Sequence, residues 1–291
     1  MDKKETPRIA LHSIGSLFSE TWKLYKERWS VLVEIVLLPT LVVALGVILV
    51  GLNLGSAFRA LGLLVVFVGW VIFIYSVLPV IYSIHNTTGV DASYKATIGS
   101  FWPYIWVGIL EFLSVLGGAA MLIIPGIWLG IALSFAVYIF IIEHRRGIDA
   151  LRQSKDYVKG YWWAVLGRTL LLALIYVVVM VIVRIPVTLM GGQIAGGILS
   201  AVMLLFFIPF SAIYHYIIFN NLRELKPELA EMKTKEGTGF IKASAIVGVI
   251  VPILLVILAV ILIAFGAAYM VRNSGRYVPA PGYPMRAAPQ Q

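Results

Sequence analysis

Residues 242–272 read KASAIVGVIVPILLVILAVILIAFGAAYMVR, and no charged side chain interrupts the run from Ala243 to Val271. A helix needs about 20 apolar residues to cross a hydrocarbon core about 30 Å thick, so this segment predicts a transmembrane helix on its own. Toward the N-terminus the same test selects six more segments, approximately Ser30–Leu52, Ala60–Tyr82, Tyr104–Ile124, Ile127–Ile142, Trp162–Val183 and Ala195–Phe219. The fourth is short, and Pro125-Gly126 separates it from the third. The apolar stretch from Pro103 to Ile142 suffices for two crossings with a tight turn; the competing reading is a re-entrant hairpin, whose backbone would have to be buried in protein.

The composition agrees with a lipid solvent. Hydrophobic residues make up 60% of the chain and charged ones 13%, with a mean hydropathy of +0.95. One soluble core could not hide so much apolar surface. The net charge of +9 would point to nucleic acid in a soluble protein, but no basic stripe with exposed aromatics stands apart from the spans. With the N-terminus inside, 17 Lys and Arg fall in cytoplasmic segments against five outside, and Arg168 lies within a span. That asymmetry predicts N-inside, C-outside; the expected location is a prokaryotic cytoplasmic membrane. Cysteine is absent, which excludes disulfides and thiolate chemistry. The opening MDKKETPRIALHSIG has no short apolar core or small-residue cleavage site, so the first span is expected to act as the insertion signal.

The expected organisation is all-α, a polytopic helical membrane bundle of about seven spans. Residues 1–29 form a cytoplasmic N-terminus with an amphipathic interfacial helix, and 30–224 a six-span membrane domain. A charged cytoplasmic linker (225–242), a seventh transmembrane helix (243–271) and a disordered Pro-rich tail (272–291) follow. The six spans read as three hairpins, each after an amphipathic lead-in: SIGSLFSETWKLYKERW, DASYKATIGSFW and IDALRQSKDYVKGYWW. In the first, Ile14, Leu17, Phe18, Thr21, Tyr25 and Trp29 share a helical face; in the third, Ile148, Leu151, Val158 and Trp162 do. Such helices are expected at the headgroup level with their charged face in water.

The stretch PGIWLGIALSFAVYIFIIEHRRGIDALRQSKDYVKGYWWAVLGRTLL (residues 125–171) carries a Pro-Gly turn, a Leu133-Ser134-Phe135 helix and an acidic end at Glu143. An Ala150-Leu151-x-x-Ser154 helix follows, and Trp162-Trp163 opens the next span. It resembles the membrane domain attached to some bacterial glycerophosphoryl diester phosphodiesterases, and equally related stand-alone multi-pass membrane proteins. The likeness covers roughly residues 13–224. Where that family carries a phosphodiesterase, the activity resides in a separate soluble barrel, so the resemblance implies a membrane domain without the enzyme activity.

No Gly-rich phosphate loop, metal-binding His pair or nucleophile elbow occurs, and no cofactor or metal is implied. The run Glu143-His144-Arg145-Arg146-Gly147 reads as an interfacial anchor. The informative residues are polar ones inside spans, because an unpaired charge there is costly. Glu34, Arg168 and His215 lie at about 8–9 Å from the cytoplasmic end and Glu111 at about 13 Å, near the midplane. They form a candidate intramembrane polar network, with Glu34 paired to Arg168 and Glu111 as a proton or cation site. Against it stands a bland reading, in which Arg168 snorkels, Glu34 stays hydrated and His215 bonds between helices. Gly117-Gly118, Gly126, Gly130, Gly191-Gly192 and Gly196-Gly197 allow close approach or breaks, and Pro39, Pro79, Pro209 and Pro252 interrupt four spans. The expected function is a non-enzymatic membrane domain that organises partners or lipids, with an ion-coupled permease as the alternative. Its expected partners are the bilayer, anionic lipids at the cytoplasmic face, and other proteins or a second copy.

Overall fold

The computed structural model describes residues 11–52, 54–231 and 238–274. The first ten residues and the expected Pro-rich tail from 275 onward lie outside the described residues. So do 232–237 of the charged linker. The described chain is helical throughout, with no strand. Seven helical stretches in it are long and apolar enough to cross a membrane: Ile14–Gly51, Ser56–Asn86, Val90–Met121, Ile123–Ile142, Trp162–Met190, Ala195–Leu225 and Gly239–Met270.

Helix α1 (Ile14–Gly51) starts at Ser13, whose Oγ accepts the Ser16 N–H, and runs unbroken for 38 residues, about 57 Å. The amphipathic lead-in is therefore not a separate interfacial helix. Leu17 and Thr21 are buried, Phe18 packs on Phe210 and Tyr214, and the Tyr25 hydroxyl donates to the Phe206 carbonyl at 3.2 Å. The face expected to meet lipid is taken by protein over most of its length. Pro39 cannot donate to the Ile35 carbonyl one turn back, and the Tyr94 hydroxyl donates to that oxygen at 2.9 Å.

Spans two and four are broken alike. Helix α2 (Ser56–Tyr75) hands over to α3 (Val77–Asn86) at Ser76, whose hydroxyl donates to the Phe73 carbonyl at 2.7 Å, while the Tyr104 hydroxyl donates to that of Ile74 at 3.0 Å. A short helix, α4 (Val90–Thr97), and one 3₁₀ turn lead into α5 (Phe101–Met121). Helix α6 (Ile123–Leu133) breaks at Ser134-Phe135 before α7 (Ala136–Ile142). The sequence placed the turn between spans three and four at Pro125-Gly126; it falls instead at Leu122, in extended conformation. Pro125 sits in the first turn of α6, where its missing N–H leaves no bond unmade, and a Cβ on Gly126 would lie 2.6 Å from that of Ala119.

Helix α8 (Ile148–Val158) was expected on the bilayer surface and is found inside the protein. Ala150, Leu151, Arg152, Gln153, Ser154, Tyr157 and Val158 are all buried. Leu151 and Val158 lie on α8 as the spacing suggested, but Trp162 opens the next helix, and the polar side of α8 has partners. The Ser154 hydroxyl accepts the Phe135 N–H at 3.1 Å and donates to the Ala132 carbonyl at 2.9 Å, repairing both sides of the α6–α7 break. Ser154→Ala leaves that donor and acceptor unmade in a buried site, and is expected to cost about 1–3 kcal/mol. A detergent melting temperature unchanged from wild type would contradict the repair.

Helix α9 (Trp162–Leu225) contains two spans, which fold back at Gly192, whose φ of 75° belongs to the left-handed region that glycine favours. Tyr176 stacks on Phe207 at 4.1 Å and the Tyr214 hydroxyl donates to the Arg168 carbonyl at 3.0 Å, so the halves run antiparallel. A single turn of helix, α10 (Glu228–Glu231), precedes α11 (Gly239–Ser274). The seventh span docks on α5 at backbone contact: a Cβ on Gly117 would stand 1.7 Å from the Ser244 carbonyl oxygen, and one on Gly248 2.0 Å from that of Leu113. Past Ile246 it is exposed along nearly its whole apolar length, as a helix bathed in lipid would be.

Candidate functional site

Most of the buried polar chemistry gathers where the short helices and connecting loops meet. Its centre is Glu143, which ends α7 with its side chain 4% exposed. The carboxylate accepts the Tyr157 hydroxyl at 2.7 Å, an amide N–H of Gln153, and the Arg223 Nε at 3.4 Å. Gln153 also donates to the Leu229 carbonyl at 2.9 Å, and Arg145 to that of Ala230 at 3.2 Å. The Glu143-to-Gly147 run, read as an interfacial anchor, has protein partners. It is a junction tying α7, α8, α9 and α10 together, with His144 in the left-handed region (φ 56°) to turn the chain.

Cations close the helix ends around this junction. The Lys226 ammonium donates to the carbonyls of Asp156, Tyr157 and Lys159 at 2.7, 2.9 and 2.6 Å, where the C-terminus of α8 concentrates partial negative charge. Burial pushes its pKa down from the ordinary lysine value. Arg28 does the same for α3, donating to Ser83 Oγ at 2.8 Å, the Thr87 carbonyl at 3.1 Å and the Thr88 carbonyl. On the far side, His12 strings the N-terminal segment to α9. Its N–H donates to Asn221 at 2.7 Å, its carbonyl accepts Arg168 at 2.6 Å, and its Nδ1 lies 3.2 Å from Glu20.

The structure does not assemble the four intramembrane residues into one network. Arg168 turns its guanidinium to the carbonyls of Ala164 and His12. Glu34 is exposed between the buried pairs Leu32-Val33 and Ile35-Val36, and no ion pair joins it to Arg168 among the described residues. Rotation about their helices sends the two side chains apart. His215 bonds back to the Ser211 carbonyl at 2.8 Å, within its own helix. Glu111 is half-buried and makes no hydrogen bond or ion pair among the described residues. The α5–α6 register, set by Ala119 against Gly126 and Val115 against Gly130, places it across from Ser134 at the break in span four.

Tyr157 reports the electrostatics of the junction. Its pKa is raised, first by burial and then by the Glu143 carboxylate that its proton satisfies. The folded protein therefore holds this proton more tightly than the unfolded chain, in which a tyrosine titrates near 10. Stability from this group is complete below that value and is lost as pH rises above it through the higher folded pKa. Tyr157→Phe is expected to flatten the alkaline limb of a stability–pH profile while costing about 1.5–3 kcal/mol at neutral pH through the lost charged hydrogen bond. Chemical denaturation in detergent from pH 7 to 11 measures both; an alkaline limb identical to wild type would contradict the assignment.

Two hollows adjoin the junction. A cavity of about 440 Å³ is lined by His85, Tyr216, Asn220, Arg223 and Glu224, with His85 Nδ1 3.0 Å from the Tyr216 hydroxyl. A cleft of about 560 Å³ lies against α8, between Trp128 and Trp162. A third hollow, away from the junction, is an apolar groove of about 480 Å³ between α1 and the two halves of α9, walled by Phe18, Trp22, Tyr25, Tyr176, Phe206 and Phe210. Among the described residues no group of three or more His, Cys, Asp or Glu could hold a metal ion. Comparison with family models, curated proteins and solved structures gives no match for this chain.

Proposed function

We propose that the chain is a non-enzymatic domain of the cytoplasmic membrane that organises lipids, and through them or directly protein partners, with its basic loop-bearing end inside and its C-terminus outside. The observation that carries the reading is the apolar groove. Its rim residues Ile175, Val179, Val202 and Phe206 are 40–45% exposed, so it opens sideways toward the bilayer. Its volume lies in the range of small-molecule sites, and its aromatic walls give a hydrocarbon chain dense contact at little entropic cost. At its Trp22 end Lys26 stands 6.0 Å over the indole and Lys23 is exposed, which suits the head of an anionic lipid whose chain lies in the groove. The resemblance of residues 13–224 to phosphodiesterase-associated membrane domains points the same way. Phospholipid retained by the protein in mild detergent, counted by mass spectrometry, tests the reading. Met203→Trp, which fills the groove from one wall, is expected to lower retention several-fold. Equal retention by a folded variant would refute the groove's role.

Ion-coupled transport is the second reading, and Glu111 is what favours it: a half-buried carboxyl inside a span with no partner among the described residues marks an ion pathway by default. Glu111→Gln would abolish proton- or cation-driven uptake in vesicles on that reading. A cysteine at 111 that no aqueous reagent reaches, with uptake unchanged, removes it.

A further inference from the structure

We infer that the hollow between α3 and the end of α9 is a site for a phosphoethanolamine zwitterion, as a lipid headgroup or as a free solute. Tyr216, Asn220, Arg223 and Glu224 stand at i, i+4, i+7 and i+8 and so share one face of α9. All four line the hollow of about 440 Å³, with His85 from the last turn of α3 opposite them, and its size is that of a small-molecule site. Arg223 turns only its Nε to Glu143, at 3.4 Å. Its two Nη groups and the Asn220 amide make no hydrogen bond to the protein among the described residues. The His85 Nδ1 and the Tyr216 hydroxyl hold each other at 3.0 Å. When Tyr216 gives its proton to that bond, the neutral ring keeps its own hydrogen on Nε2, a further donor. Glu224 is exposed and lies one residue, about 100° round the helix, from Arg223. Its carboxylate has no hydrogen bond or ion pair among the described residues.

The charges select a ligand that bears both signs. Around the hollow the guanidiniums of Arg145, which donates to the Ala230 carbonyl in the wall, and of Arg223 are matched by the carboxylates of Glu143 and Glu224. Lys226 and Glu228, on either side of Pro227, are opposite in sign as well. A ligand of a single sign gains little from such a balance. A phosphate oxyanion fits the Arg223 Nη groups, fork against oxygens, with the Asn220 amide beside them. The ammonium fits Glu224 at the end of α9, where the last carbonyls of the helix add partial negative charge. A primary ammonium brings N–H donors to that carboxylate. The trimethylammonium of a choline head has no N–H, and a glycerol head has no positive charge. On the orientation proposed above, the hollow lies where the spans Ser56–Asn86 and Ala195–Leu225 end at the cytoplasmic face, the depth at which headgroups sit.

This site is separate from the groove, and the lipid arm of its test deepens the lipid-organising reading. The full chain is reconstituted in nanodiscs of mixed phosphatidylethanolamine, phosphatidylcholine and phosphatidylglycerol, and lipids retained after transfer to mild detergent are counted. Phosphatidylethanolamine is expected to be enriched over phosphatidylcholine. Glu224→Gln, at an exposed position, is expected to lower its retention roughly ten-fold, which is about 1.4 kcal/mol, and to leave the other two lipids and the melting temperature unchanged. Asn220→Ala should act in the same direction, by about three-fold. Calorimetric titration with O-phosphoethanolamine reads the free-solute source: binding that Glu224→Gln removes, with no lipid enriched, assigns the site to the solute. Neither enrichment nor binding overturns the site, and so does a folded Glu224→Gln variant that matches wild type in both. Met203→Trp run in parallel separates the two claims: if it lowers lipid while Glu224→Gln changes nothing, the groove stands and the hollow falls; if only Glu224→Gln acts, the hollow stands and the groove falls.

Discussion

Glu143→Ala is expected to destabilise the folded protein by about 3 kcal/mol. A buried ion pair that loses one member costs about 3–5 kcal/mol. The lower end applies because Arg223 is 40% exposed and regains water when its partner goes. The rest of the loss comes from Tyr157 and Gln153, whose donors face the emptied site, and from the hollow left where four carboxylate-bearing atoms stood. Glu143→Gln fills the same space and keeps one acceptor, so it should cost less than half as much. Melting of both variants in one detergent measures the difference. Equal, small effects would mean that the junction is solvated and that Glu143 is the interfacial anchor its sequence context suggested.

Gly117→Ala should be the most damaging glycine-to-alanine change among the described residues. The new carbon would fall 1.7 Å from the Ser244 carbonyl oxygen, and backbone cannot move aside as a side chain can. Overpacking ordinarily costs about 1–3 kcal/mol; here α11 must lift off α5, and the expected loss is at the top of that range or beyond it. Gly130→Ala is the internal control. Its new methyl meets only Val115, at 4.0 Å, and an alanine gains about 1 kcal/mol of helix propensity over glycine. Docking itself is read by a disulfide between cysteines replacing Ser114 and Ile241, whose Oγ and carbonyl oxygen lie 3.4 Å apart, in a chain with no other cysteine. Gly117→Ala should abolish that cross-link and Gly130→Ala should preserve it. A cross-link that survives Gly117→Ala would show that the seventh span does not depend on this contact.

These two sites were unequally legible in the sequence. The seven apolar stretches were plain, because the bilayer sets a length that few other structures require. Gly117 stood out as small, yet the glycines of the α1–α2 hairpin did not: Gly46, Gly62 and Gly69 pack backbone to backbone, and each is isolated among large residues with no doublet to flag it. The lead-in of α1 and the whole of α8 were read as surface helices because an apolar stripe opposite polar residues looks alike whether those polar residues meet water or buried carbonyls. Arg152, Gln153 and Ser154 meet protein, and no local pattern could say so. Breaks at Ser76 and Ser134 were hidden for the same reason, since one freed carbonyl at each is satisfied from another helix, Ile74 by Tyr104 and Ala132 by Ser154. Glu143 was noticed only as an acidic end. Its role depends on Arg223, 80 positions away, a distance over which spacing carries no information.

We propose that this bundle spans the bilayer with its basic junction in the cytoplasm, so that the junction and the polar end of the groove face the anionic leaflet. Single cysteines replacing Ser13, Glu228 and Ala288 test it in intact cells with a membrane-impermeant thiol reagent. Ser13 and Glu228 are exposed and flank the junction, so both should label only after the membrane is opened, whereas Ala288→Cys should label from outside. Labelling of Ser13→Cys or Glu228→Cys in sealed cells, or failure to label Ala288→Cys, would contradict the account.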